Sequence, residues 1–256
     1  MMNLGLMDAA FLGSLTSYDP DAAAYISAVE AADGQALETG VRDAINAFVL
    51  GCKADGIWNA IKASCILAGA RTLAGALVPL VGAAPTKFNF VPGDYDRKTG
   101  LVGNGSTKYL DSNRNNNADP QDNQHVAFFN STNGSGSRFI SALLGSIGGT
   151  RVSSNIVTSR GTSAFLIGGL TGFSGISRSA SATFLARNGQ STTTFTSTSQ
   201  SPANGNFFVF ANNTGTTADA HSSPRLAFYS IGESLNLALL DARVTALVNA
   251  LAVAVP

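Results

Sequence analysis

The segment 109–122, "YLDSNRNNNADPQD", concentrates oxygen-bearing side chains at the spacing of a calcium loop. These side chains occupy positions 1, 3, 5, 7, 9 and 12 of an EF-hand pattern, and they belong to Asp111, Asn113, Asn115, Asn117, Asp119 and Asp122. Two positions depart from that pattern. Asn116 stands where the loop needs glycine, and Asp122 stands where it needs a bidentate glutamate. Asn and Asp also build turns by bonding their own backbone. We therefore expect an ordered connection between two strands, and we assign no metal ligand.

Paired carboxylates would allow glycoside hydrolysis, which needs two acids about 5–10 Å apart. Side chains at i and i+2 of a strand share a face, and Asp94 and Asp96 have this spacing. They lie between glycines and next to two cations, a composition typical of a solvated turn. Between Asp122 and Glu233 the only acidic residue is Asp219. We assign no catalytic residue and do not expect an enzyme.

Other reactive groups are sparse. The two histidines, His125 and His221, are too few for an imidazole metal cluster. There is no G-x-S-x-G nucleophile elbow, and "GNGS" (103–106) lacks the G-K-[ST] of a phosphate-binding loop. No cofactor is expected. Cys52 and Cys65 are expected to be small buried residues, although a disulfide between them remains an alternative.

The composition excludes several classes of partner. The formal net charge is zero and 12% of residues are charged, so the basic footprint of a nucleic-acid-binding protein is missing. The N-terminus lacks the positive region of a secretory signal. The most apolar stretch, residues 66–85, is interrupted by Arg71, Pro79 and several glycines, so we expect no membrane span. Synthesis in a cytoplasm is expected.

The residues before Gly69 have helical periodicity. Asp19 and Pro20 predict a helix start, and Gly34 predicts its end. Apolar residues at helical spacing predict one buried face on each of three helices. The three faces are Ala22, Tyr25, Ile26 and Val29; Val41, Ile45, Phe48 and Val49; and, in "GIWNAIKASCILAG" (56–69), Ile57, Trp58, Ile61, Cys65 and Ile66.

From Thr86 onward the period changes to two, which is typical of strands. Strands are predicted in segments 108–112, 125–132, 137–145, 150–159, 163–169, 179–199, 206–213 and 225–232. Asn188-Gly189 predicts a hairpin. Ser230 and Glu233 form an S-x-x-E capping box, and Leu235, Leu239 and Leu247 continue at helical spacing to about Val253.

Together these patterns predict an α+β fold with two domains. A short helical attachment module would occupy residues 1–85. An antiparallel β-sandwich of jelly-roll type with a C-terminal helix would occupy residues 86–256.

The segments "KTGLVGNGSTKYLDSNRNNNADPQDNQHVAFF" and "GNFFVFANNTGT…PRLAFYSIGESLNLALLDARVTALVNAL" resemble the start and end of concanavalin A-like lectin/glucanase domains. They are most similar to such domains in tailed-phage structural proteins, where N-F-[FY]…N-x-x-G-T precedes [RL]-A-F-x-S-I-G and a terminal helix. The E-x-D-x-E strand of the glucanases is absent here. The resemblance implies a concanavalin A-like sandwich in a non-enzymatic protein at the virion surface.

Two roles follow from this resemblance. The first is a capsid decoration or cement protein, or a short head fibre. It would attach to other virion proteins through residues 19–80 and form a homo-oligomer, with a trimer expected. The alternative is a tail-fibre or baseplate adhesin that binds a host-surface glycan; a glycoside hydrolase is the least favoured. Sugar sites combine an aromatic platform with amide and arginine donors, and the glycan-contact candidates are Asn212, Asn213, Arg225 and Tyr229.

Overall fold

The computed structural model describes residues 17–136, 138–143, 147–169 and 171–256. Residues 1–16 of the predicted helical module, and positions 137, 144 and 145 of one predicted strand, lie outside the described residues. The described chain forms four helices and two large antiparallel sheets, which confirms the α+β class with a sandwich and a C-terminal helix. The helices are α1 (Pro20–Asp33), α2 (Thr39–Ala54), α3 (Leu73–Ala76) and α4 (Leu237–Ala254), and short 3-10 helices span Trp58–Ala60 and Pro92–Asp94.

The strands of the described residues are β1 (Ile61–Ile66), β2 (Thr86–Phe88), β3 (Tyr95–Asp96), β4 (Gly100–Val102), β5 (Tyr109–Asn115), β6 (Gln124–Thr132), β7 (Ile140–Ala142), β8 (Thr150–Val152), β9 (Ile156–Ser159), β10 (Phe165–Leu166), β11 (Gly172–Arg178), β12 (Thr183–Asn188), β13 (Ser191–Thr196), β14 (Asn206–Val209), β15 (Asn212–Asn213), β16 (Ala218–Asp219) and β17 (Arg225–Gly232). Sheet 1 has the order β13-β12-β11-β6-β17-β4-β3, with β1 also paired to β17. Sheet 2 has the order β10-β9-β8-β7-β14-β5-β2, and β15 and β16 form a separate hairpin.

The first two helices form as predicted. The Asp19 side chain caps α1 by accepting a hydrogen bond from the Asp21 backbone amide at 3.0 Å. Gly34 ends the helix with φ 66°, a left-handed conformation that glycine adopts without a steric penalty. The predicted apolar faces of α1 and α2 are both buried. Each helix is short, so this burial supplies stability that an isolated helix of its length lacks.

The prediction of a third helix over residues 56–69 is wrong. Ile61–Ile66 forms β1, which runs antiparallel to β17. Ile61 and Ile66 face the helices while Ala63 and Cys65 face the space between the sheets. An apolar run buried on both faces has no diagnostic period, so a short helix and a strand look alike in sequence. The pairing of β1 with β17 also crosses the domain boundary predicted between residues 85 and 86.

Each segment predicted to contain a strand does contain one, and segments 150–159, 179–199 and 206–213 each contain two. Asn188 pairs with Ser191 across a two-residue turn, which is the predicted hairpin of β12 and β13. The central strand β11 was not predicted. Its sequence "GFSGISR" has small residues instead of clear alternation, and a Cβ at Gly175 would lie 2.8 Å from the Cβ of Ala127. Glycine therefore permits a close approach of β11 and β6.

The protein has three layers: helices, sheet 1 and sheet 2. One core lies between the helices and sheet 1, where the rings of Phe48 and Phe228 meet edge to face at 5.6 Å. A second core lies between the sheets and contains Leu110, Phe128 and Val209. Sheet 1 is thus covered on both faces, whereas the outer face of sheet 2 carries exposed side chains along β2 and at Asn113 of β5.

The C-terminal helix begins later than predicted. Ser230 lies inside β17 and Glu233 directly follows it, so they do not form the predicted capping box. The chain must stay extended there because Gly232 still pairs with His125 of β6. Asn236 caps α4 instead, accepting from the amide of Ala238 at 2.9 Å.

One face of α4 is buried against α2 and sheet 1. Of the predicted contacts, Leu247 is buried, and Leu235 and Leu239 are half-buried against the same core. Among the described residues, α4 is the one helix whose length and apolar composition would allow it to cross a membrane. In this fold, many of the apolar residues of α4 are buried in the core between the helices and sheet 1.

Candidate functional site

A row of side chains crosses six strands on the outer face of sheet 2. Strand register places these residues opposite one another in the order Thr86, Asp111, Phe208, Ser141, Arg151 and Thr158. Alternate residues of the same strands, including Leu110, Val209 and Val152, point into the core between the sheets. Neighbouring strands lie about 4.8 Å apart, so the row is roughly 24 Å long. We call it the outer row.

Aromatic rings cover one end of this face. Phe88 and Tyr109 stack with centroids 4.3 Å apart and planes 4° apart. Tyr109 also contacts Phe208 at 4.8 Å and the edge of His221 at 5.9 Å. Phe88 is 37% exposed, and the other three residues are half-buried. We call these four residues the aromatic surface; it offers large contact area at a low cost in conformational entropy.

Fixed polar groups border the aromatic surface. Asn206 donates from Nδ2 to both carboxylate oxygens of Asp111, at 3.0 and 3.2 Å. The amide of Asn113 donates to Asp111 Oδ1 at 2.8 Å. Burial, and then the charge of Asp111, raise the pKa of Tyr109. The tyrosine hydroxyl therefore stays protonated at neutral pH and remains a hydrogen-bond donor.

The β15–β16 hairpin adjoins the row at β7. Ser141 Oγ donates to Asn212 Oδ1 at 2.8 Å, and Asn212 Nδ2 donates to Asp219 Oδ1 at 3.0 Å. Two residues further on, burial lowers the pKa of His221, and Asp219 opposes that shift. His221 is therefore neutral at pH 7, which suits its contact with the ring of Tyr109.

The four glycan-contact candidates do not form one site. Tyr229 is 1% exposed and its hydroxyl accepts from Cys65 Sγ at 3.4 Å, so it cannot serve as an aromatic platform and that prediction is wrong. The cause is that β17 is covered on one side by helices and on the other by sheet 2. Arg225, also on β17, donates to the Gly100 carbonyl at 2.6 Å. Asn213 is buried, and its Oδ1 accepts a hydrogen bond from the amide of Gly215 within the β15–β16 hairpin. Of the four candidates, Asn212 is the one that contacts the outer row, through Ser141.

The segment 109–122 encloses a guanidinium group. Arg160 is fully buried and donates from Nη1 to the carbonyls of Pro120 and Gln121, the latter at 3.1 Å, and from Nη2 to the carbonyl of Asn116. Burial lowers the pKa of Arg160 to about 10, which leaves it charged at neutral pH. The guanidinium of Arg160 thus occupies the place inside this segment where a calcium loop would hold its metal ion.

The first half of the segment is itself β5, residues 116–123 connect β5 to β6, and Asp119 pairs with Arg114. No group of three or more His, Cys, Asp or Glu side chains suited to a metal ion occurs in the parts of the chain described.

The remaining titratable candidates have structural partners. Asp94 pairs with Lys108, and Asp96 accepts from the amides of Lys98 and Thr99, at 3.0 and 2.8 Å, within the predicted turn. Cys52 and Cys65 are free and buried, so they form no disulfide.

His125 is fully buried between two partners. Its Nδ1 donates to the carbonyl of Glu233 at 2.6 Å, and its Nε2 accepts from the hydroxyl of Ser230 at 2.7 Å. Burial lowers the pKa of His125 to about 4. The imidazole is therefore neutral and structural at physiological pH.

The aromatic surface and Arg151 were not found from the sequence. Alternation in "YLD" and "NFF" places Tyr109 and Phe208 on faces opposite to their buried neighbours, which is a usable signal. Their proximity depends on β14 lying between β5 and β7, although it is distant from both in sequence. That arrangement is not encoded in any local pattern.

A comparison with protein-family models gives no match, and no curated protein matches the chain.

Proposed function

We propose that this protein is a non-enzymatic component of a phage virion surface, and that its aromatic surface binds a host-surface glycan. The observation that carries the binding function is the stacked pair of Phe88 and Tyr109 at the exposed β2 edge of the outer face of sheet 2. Saccharide rings have apolar faces edged by hydroxyl groups. A flat aromatic face beside fixed acceptors and donors is complementary to such a ring.

The polar border supports a saccharide in particular. The carboxylate of Asp111 is held by Asn206 and by the amide of Asn113, so it needs no rearrangement to accept from a ligand hydroxyl. Preorganised groups of this kind lower the entropy cost of binding. A shallow exposed site is also consistent with weak individual contacts that become strong through multiple copies.

The virion role is supported by the sequence resemblance and by the arrangement of the layers. The helices pack on sheet 1, and the aromatic surface lies on the far side of sheet 2. Attachment through the outer sides of α1 and α2 would turn the aromatic surface away from the particle. Residues 61–66 form β1 inside sheet 1, so the part of residues 19–80 that could attach to a particle is the pair of helices α1 and α2.

A purely structural role, as a capsid decoration or cement protein or a short head fibre, is the second candidate. Leu50 on α2 is 48% exposed and Val253 on α4 is 87% exposed, and apolar side chains on a helical layer suit contacts between subunits. Copy number on purified particles separates the locations. Hundreds of copies indicate decoration, and a handful indicates a tail or baseplate position.

The glycan-binding proposal is tested with a glycan array and titration calorimetry. Wild-type protein should bind a subset of glycans, and Tyr109→Ala should weaken that binding at least about fivefold, since stacking on one ring contributes on the order of 1 kcal/mol or more. Tyr18→Ala is the matched control, because Tyr18 lies next to the helices and bonds Asp43. Absence of any array signal for a correctly folded wild type would refute glycan binding.

A further inference from the structure

Among the described residues, Arg151 is a buried cation that forms no ion pair. It lies at the centre of β8 in the outer row and is 7% exposed. Its Nε is buried with no hydrogen-bond partner, and no ion pair joins its side chain to another part of the chain that the structure describes. The other buried arginines differ. Arg160 and Arg178 donate to backbone carbonyls, and the half-buried Arg187 pairs with Asp241 at 2.7 Å.

A second buried polar group without a partner lies beside Arg151. Thr158 faces it directly across β8 and β9, and the Oγ1 of Thr158 is buried without a partner. Burial, and then the nearby charge of Arg138, lower the pKa of Arg151 to about 10, so the guanidinium is charged at neutral pH. A buried unpaired charge is costly. An anion bound beside the guanidinium would neutralise this charge.

The charge of the surrounding segment favours a negative ligand. Residues 123–232 contain six arginines and no lysine, against one carboxylate, Asp219, so their net charge is 6 − 1 = +5 with both histidines neutral. Asp219 itself accepts a hydrogen bond from Asn212. Of the other fifteen acidic residues, thirteen precede residue 123, and Glu233 and Asp241 follow residue 232.

We propose that Arg151 and Thr158 form an anion subsite at the far end of the outer row, and that the glycan bound by the aromatic surface carries a carboxylate or sulfate group. This inference rests on the proposed glycan binding for the saccharide, but the anion subsite stands without it. Phe208 and Arg151 are two strand spacings apart, about 10 Å. Adjoining sugar residues can therefore contact the ring and the guanidinium at the same time.

Inorganic sulfate tests the subsite alone. Sodium sulfate should raise the melting temperature of the wild type above that in sodium chloride of equal ionic strength, because a ligand bound only by the folded state stabilises it. Arg151→Gln should reduce this difference to the general stabilisation that sulfate gives a folded protein, and Lys98→Gln, which removes an exposed charge in the β3–β4 turn, should retain it in full. An equal sulfate effect in wild type and Arg151→Gln would overturn the subsite.

Matched acidic and neutral glycans test the ligand class. The probes are galacturonate oligomers and their carboxyl-reduced counterparts, together with the sulfated and unsulfated pairs of an array. Wild type should prefer the acidic member about 10- to 100-fold, the range expected for a hydrogen bond to a charged group. Arg151→Gln should lose that preference and keep neutral-glycan binding that depends on Tyr109. Neutral glycans bound with no acidic preference would overturn the inference and leave the proposed function standing, whereas no glycan binding at all would overturn the proposed function.

The folding of Arg151→Gln is itself informative. An arginine without a partner contributes no stabilising bond, so its replacement should leave the melting temperature unchanged or raise it. A fall of more than about 5 °C would mean that Arg151 is a structural residue, and the subsite would be rejected. Thr158→Val provides a second variant, which should weaken the sulfate effect without removing the positive charge.

Discussion

The rings of Phe88 and Tyr109 are nearly parallel, with planes 4° apart and centroids 4.3 Å apart. The two residues are register partners in β2 and β5, and β2 is the edge strand of sheet 2. Neither ring reaches the core between the sheets, so the pair adds little to the buried apolar area that stabilises the fold. A stacked pair at an exposed edge is better accounted for by binding than by folding.

This position predicts a separation of binding from stability. Phe88→Ala should lower the free energy of unfolding by about 1 kcal/mol, the range for an aromatic pair beyond its area burial. Phe128→Ala, in the core between the sheets, should lower it by about 3–5 kcal/mol. Chemical denaturation monitored by circular dichroism gives both values. A loss at Phe88 as large as that at Phe128 would show that the aromatic surface is part of the core.

Local sequence patterns predicted the elements that bury a single face. The faces of α1 and α2 and the β12–β13 hairpin were all visible, because helical spacing and Asn-Gly turns act over a few residues. Residues 61–66 were assigned wrongly because β1 is buried on both faces and its helical and strand interpretations fit equally well. Only its pairing with β17, over 160 residues away, decides between them.

The candidate site is harder to predict from local sequence than the helices are, because its residues come together only through pairing between strands that are distant in sequence. Asn212 contacts the outer row, whereas Tyr229 is buried because its strand, β17, is covered on both faces. Arg151 gave no local signal, since a single arginine in a strand is usually paired or exposed. Its cross-strand neighbours, Ser141 and Thr158, carry no charge, and they are set by the order of β7, β8 and β9.

The connection between β5 and β6, residues 116–123, should be insensitive to calcium and sensitive to loss of Arg160. Replacing Arg160 with Met leaves the carbonyls of Asn116, Pro120 and Gln121 without their donor, and the free energy of unfolding should fall by at least about 2 kcal/mol. Millimolar calcium or EDTA should not shift the melting temperature of the wild type. A calcium-dependent rise would mean that the loop also binds a metal ion.

His125 should make the protein sensitive to acid. The folded-state pKa of His125 is about 4, below the ordinary value of 6.5, so between these two pH values His125 is protonated in the unfolded chain and neutral in the folded protein. The free energy of unfolding is unaffected above pH 7 and falls as pH drops below 6.5, by about 2 kcal/mol at pH 5. The measurement is thermal unfolding between pH 7 and 5.

The matched controls for this pH effect are His125→Gln and His221→Gln. The first should flatten the dependence of the melting temperature on pH, whatever its effect on stability at pH 7. The second should preserve most of the dependence, because His221 is half-buried. A slope that survives in His125→Gln would assign the acid sensitivity to another group.

The C-terminal helix should stabilise the protein through one face. Leu240 is fully buried between α4 and sheet 1, and Leu240→Ala should cost about 2–5 kcal/mol. Val253 is 87% exposed on the same helix, and Val253→Ala should change the free energy of unfolding by less than about 0.5 kcal/mol. Equal effects of the two variants would mean that α4 has a second contact, such as one between subunits.

Self-association should proceed through the helical layer. The chain has zero net charge, so little electrostatic repulsion opposes association. Leu50 is 48% exposed on α2, and we expect a homo-oligomer, with a trimer as the specific expectation, joined by the outer sides of α1 and α2. Leu50→Asp should shift sedimentation at micromolar concentration toward the monomer, and Leu166→Asp, on the opposite sheet, should not. A wild-type protein that sediments as a monomer would contradict this interface. A point variant is needed here, because deleting residues 1–80 would also remove β1 and expose the helix-facing side of sheet 1.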